Sequence, residues 1–532
     1  MLDKILNGVE KVNTFINNLV WGWPMIVLIL GTGILITIRT RCMQVRKFGT
    51  SWGETIIPTM KSIGKRKKGL SKKENSISQF EAFATAISGT VGTGNIVGVT
   101  SAIMTGGPGA VFWMWISAFF GMITNYAENV LGMFFRRKEK NGDFSGGPAY
   151  YLSEGVGMTY NKGKLGAFLK TFGKILGVMA AVFCTFAAIG MSGAQTNKMS
   201  LTLQSTFGDG ESRTIALIVG IVVAVVLALV VLGGIKSIGR VASILVPFMS
   251  LIFILMALII IFANISMIGT AFALIFGNIF KFKSAVAGFT GYAFAQIIQK
   301  GLARGVFSNE AGLGSSVIAH SASETREPVK QGLWGIFEVF FDTFIICTLT
   351  ALVILVSFGD KAGQANVLYA ANAPADTVVS MMAFEEMFGK FGEIVYSIIL
   401  PLFAFTTILA WSYYGEKSVD FLFRKTGETG RKIATTVFKV AYVLLVIVSS
   451  VMNGELAWAI SDTFNGLMAL PNLIGLVFMS GLVWKITKNY FDRKSGKNVK
   501  PMLSAYAEQQ EEFEAELVYE GDTVIVDGEI EE

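Results

Sequence analysis

"SGTVGTGNIVG", Ser88 to Gly98, lies in the middle of an apolar segment that runs from about 77 to 104. Glycines at 89, 92, 94 and 98 weaken any helix built there, and Ser88, Thr90, Thr93 and Asn95 load the same turns with polar side chains. One reading is close helix packing through small residues. The other is an unwound span. Non-helical backbone is tolerated at membrane depth only where it is buried in protein or lines a cavity. The freed N–H groups of a half-helix start then suit anions, and the freed carbonyls of a half-helix end suit cations. The spacing is neither G-x-G-x-x-G after a strand nor a phosphate loop ending in Lys-Ser/Thr.

The surrounding sequence puts this stretch in a bilayer. The 532 residues are 52% hydrophobic and 16% charged, against about 25% charged in soluble domains. Apolar runs of roughly 20 residues, the length that crosses a bilayer core, recur along the chain. The expected class is an all-α polytopic membrane protein with eleven transmembrane helices at about 20–38, 77–104, 109–134, 174–196, 213–233, 240–265, 284–304, 332–357, 393–415, 433–452 and 457–485. Residues 1–19 read as an amphipathic segment, 20–490 as the transmembrane domain and 491–532 as a basic, then acidic tail. Lys/Arg-rich stretches such as "KSIGKRKKGLSKK" and "RRKEK" fall between alternate spans, which places the N-terminus outside and the C-terminus in the cytoplasm of a plasma-membrane protein. Pro501 to Glu532 holds eleven acids and no Lys or Arg, and reads as a mobile appendage with one short strand or hairpin at "DTVIVDG".

Without the first span, ten remain, and five per repeat inverts the second five relative to the first. Repeat 1 covers about 77–265 and repeat 2 about 284–485. A second broken helix is then expected in the span at 284–304, where Gly288 and Gly291 bracket Phe289 and Thr290. The alternative site for that break is "SNEAGLGSS", Ser308–Ser316, otherwise read as a cytoplasmic loop.

"GTVGTGNIVGVTSAIMTGGPGAVFWMW", "SGGPAYYL" and "GLARGVFSNEAGLGSSVIAH" resemble the sodium:alanine (and glycine) symporter family, whose fold is that of the bacterial leucine transporter in the amino acid–polyamine–cation superfamily. The resemblance spans about residues 20–490. It implies uptake of small neutral amino acids, alanine and glycine, driven by sodium through alternating access. It also implies a sodium site made by the carbonyls of Ser88 and Val91 and the hydroxyls of Thr406 and Thr407, with a second sodium at Thr90 and Asn95. For the amino acid it implies Thr90, Gly92, Thr93, Gly94, Gln195, Phe289, Gly291, Thr407 and Trp411. The N–H groups of residues 92–94 would hold the α-carboxylate, and Phe289 and Trp411 would limit pocket size. The span at 240–265 contains no lysine to replace the ion, which favours sodium over protons.

Each residue also has a bland reading. Membrane threonines bond back to their own helix, Gln195 serves as interhelical glue, and the aromatic rings simply pack. Glu128 has no assigned role; Glu338 and Asp342 are either a proton or cation path or partners of nearby Lys and Arg. With His320 alone in a loop and Cys42, Cys184 and Cys347 far apart, neither a metal cluster nor a catalytic triad can be assembled, so the chain is expected not to be an enzyme. No cofactor beyond the coupling ion is expected, no nucleic acid and no obligate protein partner. The competing classes are a proton-coupled amino acid transporter, a channel, and a sensor that binds an amino acid without moving it.

Overall fold

The computed structural model describes residues 2–62, 76–139, 142–159, 163–208, 212–280, 290–359, 365–369, 373–452 and 454–519. In chain order, α1 is Leu2–Val20, α2 Trp23–Arg39, α3 Gln79–Thr90, α4 Val97–Gly106 and α5 Ala110–Phe134. The two-residue strands β1 (Arg137–Lys138) and β2 (Phe144–Ser145) pair antiparallel. Then follow α6 Pro148–Thr159, α7 Gly163–Phe207, α8 Arg213–Val231, α9 Gly234–Ala263, α10 Thr290–Asn309 and α11 Ser316–His320. Last come α12 Pro328–Phe358, α13 Asp376–Phe388, α14 Lys390–Leu422, α15 Gly427–Ser450, α16 Gly454–Lys494 and α17 Ala507–Tyr519.

Eight described helices are long and apolar enough to cross a membrane, and up to ten spans result if each of two bent helix pairs is one span. Their outward faces are apolar: Ile218, Val222, Val225 and Leu229 on α8, and Ile244, Phe248, Leu251 and Leu255 on α9, are exposed. Such a stripe is stable against lipid and not against water. Pro247, Pro401 and Pro471 sit inside helices, which neighbouring helices make tolerable in a membrane bundle.

Two helices are interrupted, and their interruptions meet. α3 begins with a capping box, in which Ser78 Oγ accepts from the Glu81 N–H and Glu81 accepts from the Ser78 N–H. It ends where Val91 leaves helical geometry, followed by an extended Gly92 and one 3₁₀ turn over Thr93–Asn95; the chain resumes as α4 at an angle of 56°. The second interruption is Glu310–Ser315, between α10 and α11, with Glu310, Gly312 and Gly314 all at positive φ. It falls at the later of the two positions expected for a second break; the earlier one, around Gly288, lies outside the described residues. Phe289 lies outside the described residues, and Gly291 falls in the unbroken α10. The reason is conformational: the turn needs left-handed backbone, which glycine supplies at little cost, and 312 and 314 are the glycines that adopt it. "SNEAGLGSS" is therefore not a surface loop, because every residue from Ser308 to Ser316 is buried.

The start of α3 and the exit from α11 are stitched together. Ile77 N–H donates to the Ala322 carbonyl at 3.2 Å, and Glu324 N–H to the Ile77 carbonyl at 2.8 Å. The expectation of a free tail also needs correcting. Residues 507–519 form α17, docked by the apolar cluster Phe144, Leu503 and Phe513; "DTVIVDG" lies outside the described residues.

Candidate functional site

The first break faces four helices, and its own residues Ser88, Thr90, Val91, Thr93 and Asn95 are all buried. Gly92 is where the backbone comes closest to α14: a Cβ there would lie 2.4 Å from Thr407 Oγ1. Thr407 Oγ1 is 3.1 Å from the Ser88 carbonyl and 3.0 Å from the Phe403 carbonyl of its own helix. Thr406 Oγ1 is 3.0 Å from the same Phe403 carbonyl and turns toward Met249 of α9. A hydroxyl whose proton can go to Phe403 keeps its lone pairs free, and the last carbonyls of α3 lack helical partners. Thr407 and Ser88 thus bring two oxygens together at a helix end.

Two of the N–H groups expected to hold an anion, those of Gly92 and Thr93, have protein partners here. Gly92 N–H donates to Asn95 Oδ1 at 2.9 Å. Gln195 Oε1, from α7, accepts from Thr93 N–H at 3.2 Å and from the Thr93 hydroxyl at 2.8 Å. Gln195 therefore meets the break directly, its amide oxygen on the two Thr93 donors. Gly94 packs loosely on Phe307. The structure does not gather Thr90 and Asn95 as a pair: Thr90 bonds back to the Ile87 carbonyl at 3.2 Å, while the Asn95 amide N–H group donates to Asp342 Oδ1 at 2.5 Å.

Asp342 stands in a π-helical stretch, Phe340–Cys347, inside α12, and such bulges gather at functional sites. Its other oxygen accepts from Ser308, at the end of α10, at 2.9 Å and from Thr343 at 2.8 Å. One carboxylate thereby joins both broken helices. Asn309 Nδ2 donates to Thr343 Oγ1 at 3.1 Å, tying the second break to the same bulge. Among the described residues, neither Asp342 nor Glu338 has a Lys or Arg as the partner of its side chain. Glu338 meets His320 Nε2 at 2.9 Å, and His320 Nδ1 is 2.6 Å from Gln331. His320 is thus a buried residue of α11 and not a loop histidine. Glu128 accepts from Asn472 Nδ2, which also donates to the Gly312 carbonyl in the second break.

Trp411 is fully buried one turn beyond Thr407, and its indole Nε1 donates to Glu310 Oε1 at 2.8 Å. Glu310 also accepts from Ser315 and sits at φ 55°, a conformation that costs a non-glycine residue energy and marks a functional constraint. Sequence reasoning missed this residue. The signal is an acid two residues ahead of G-x-G, in a polar, glycine-rich stretch that reads as a loop.

The sequence profile of the sodium:alanine symporter family matches residues 6–504. The sodium/alanine symporter AgcS of Methanococcus maripaludis is 41% identical over 93% of this chain and 100% of its own length. The amino-acid carrier protein AlsT of Bacillus subtilis is 33% identical over 94% of this chain and 99% of its own. Among solved structures, MhsT in complex with L-phenylalanine superposes with a TM-score of 0.53, covering 78% of this chain and 99% of that one at 16% identity, a likeness of fold. With its helices apolar enough to span a membrane and its relatives transporters rather than enzymes, the chain belongs to the sodium:alanine symporter family.

Proposed function

We propose that this protein couples sodium entry to uptake of small neutral amino acids, alanine and glycine, by alternating access. The observation that carries the reading is the buried approach of the Thr407 hydroxyl to the Ser88 carbonyl at the broken end of α3. Sodium, a hard cation, wants oxygen ligands, as calcium and magnesium do. In the proposal Ser88, Val91, Thr406 and Thr407 supply them, and the ion pins the first break against α14. The amino acid enters beside it. Its carboxylate displaces Gln195 Oε1 from Thr93 and takes the N–H groups at the start of the second half-helix, where the dipole favours an anion. The Asp342 carboxylate, bonded to Asn95 and Ser308, makes the two breaks respond together. Coupling follows when ion and substrate each favour the same state, with reciprocal effects on affinity. One sodium falling through 100 mV supplies about 2.3 kcal/mol, enough for roughly 50-fold accumulation.

The eleven-span layout, with two inverted repeats of five, the N-terminus outside and the C-terminus in the cytoplasm, belongs to the same proposal. The test is uptake of labelled alanine by proteoliposomes under an inward sodium gradient, against potassium and against a proton gradient. Accumulation that needs sodium supports the reading. Accumulation driven by protons alone refutes it and turns attention to the buried His320–Glu338 pair. Binding without accumulation under either gradient favours a sensor.

A further inference from the structure

α17 has no part in the ion and substrate site and lies beyond the residues that the family profile matches. It is nonetheless built into the protein. The Ala505 N–H donates to the Phe134 carbonyl at the end of α5, at 2.9 Å. Phe513 is fully buried against Phe144, ring centroids 6.1 Å apart. The Arg326 guanidinium lies over the Phe513 ring at 4.7 Å and pairs with Glu516; Lys138 pairs with Glu512. Gln509 Nε2 donates to the Arg136 carbonyl at 3.1 Å. The Tyr506 hydroxyl donates to Glu154 of α6 at 2.6 Å.

What this helix covers gives it meaning. Arg136, itself fully buried beneath Phe513 and Phe144, donates to the carbonyls of Ser321, Ser323 and Thr325 at 3.2, 2.5 and 2.6 Å. Those carbonyls belong to the segment that leaves α11, the same segment stitched to Ile77 ahead of α3. The tail-side ends of both broken helices therefore meet under α17. On the other flank Tyr506, the residue just before α17, holds α6 through Glu154, and α6 packs on α7, the helix that carries Gln195.

We propose that α17 is a latch that holds this end of the transporter closed, and that the passage opens there when α17 lifts away. The inference rests on the alternating-access reading above. Opening at this end separates the α3–α11 junction from α6 and α7, and Tyr506 with α17 bridges the two, Tyr506 on Glu154 and α17 over Arg136 and Arg326. Its fastening mixes an apolar plug with ion pairs whose acids, Glu512 and Glu516, are 41% and 37% exposed. Added salt screens such pairs, so the latch responds to ionic strength as well as to the loss of Phe513.

The test labels position 323 in the full chain in detergent, with Ser323→Cys placed in a Cys42→Ser background, Cys42 being the exposed cysteine of the three. Ser323 is buried in the closed form. Phe513→Asp, and a chain stopped after Ser504, should raise the rate of maleimide labelling at 323 about tenfold, equivalent to about 1.4 kcal/mol, while Phe513→Leu stays near the parent. The buried Cys184 and Cys347 serve as internal controls. Unchanged labelling at 323 in both variants overturns the latch. Equal acceleration at 323, 184 and 347 also overturns it, since α17 is then a general brace. The assay needs no sodium, substrate or gradient, so failed uptake with intact latching refutes the transport reading alone.

Discussion

Gly92→Ala tests the geometry of the site without assuming what binds there. The added methyl would fall 2.4 Å from Thr407 Oγ1, about 1 Å short of ordinary contact. Thr407 cannot readily yield: its χ1 is stiff in a helix, and its hydroxyl is held between the carbonyls of Ser88 and Phe403. Overpacking of this kind costs about 1–3 kcal/mol. The next obstacles, Thr407 Cβ and Gln195 Nε2, both stand at 3.4 Å and are ordinary neighbours. Thr407→Ala therefore removes the clash, and Gly92→Ala in that background should cost less by roughly 1–2 kcal/mol. The measurement is a double-mutant cycle on unfolding in mixed micelles, followed by far-UV ellipticity. Costs that add to within about 0.5 kcal/mol would refute the close approach of the first break to α14. Uptake supplies a second axis. The double variant should regain stability and not sodium dependence, because the hydroxyl is gone.

The other predictions concern single groups. Thr407→Val keeps shape but leaves the buried Ser88 carbonyl without its partner, a loss of about 1–3 kcal/mol; the sodium concentration for half-maximal uptake should rise roughly 5–150-fold, and Thr407→Ser should restore it. Trp411→Phe keeps a ring but removes the donor to Glu310, so uptake should fall for alanine and larger amino acids alike; a change in their ratio would return Trp411 to the role of pocket wall. Burial, then the bond to Glu154, raises the Tyr506 hydroxyl above its ordinary value near 10. A raised value means that its contribution is complete below that ordinary value and lost as pH climbs through the folded one. The ratio of labelling at 323 between a Tyr506→Phe chain and the full chain should therefore hold steady from about pH 7 to 9, and a decline within that range would exclude the Tyr506 hydroxyl as part of the fastening.

Several features were legible in the residues themselves. Charge-free apolar runs require a bilayer, and four glycines with four polar residues in one span require a break, since such a sequence cannot pay for a straight helix in lipid. Gln195, Thr407 and Ser88 were nameable because motif and resemblance place them. The rest depended on contacts between segments far apart in the chain. The left-handed turn at 312 and 314 is decided by backbone conformation, and nothing in the one-dimensional pattern sets those two glycines apart from others. Only the fold brings Glu310 against the indole N–H of Trp411, and Asp342 reads with Glu338 as a charge path or a partner of Lys and Arg until Asn95 and Ser308 converge on it. The tail is polar and acidic, and by composition it reads as loose. Phe513 becomes an anchor only because Phe144 and Leu503 make an apolar seat for it while Arg136 and Arg326 supply the opposing charge. Periodicity and composition act locally and determine which segments are helices and which helix must break. The partners of buried polar groups are set by packing, and only the tertiary structure decided those.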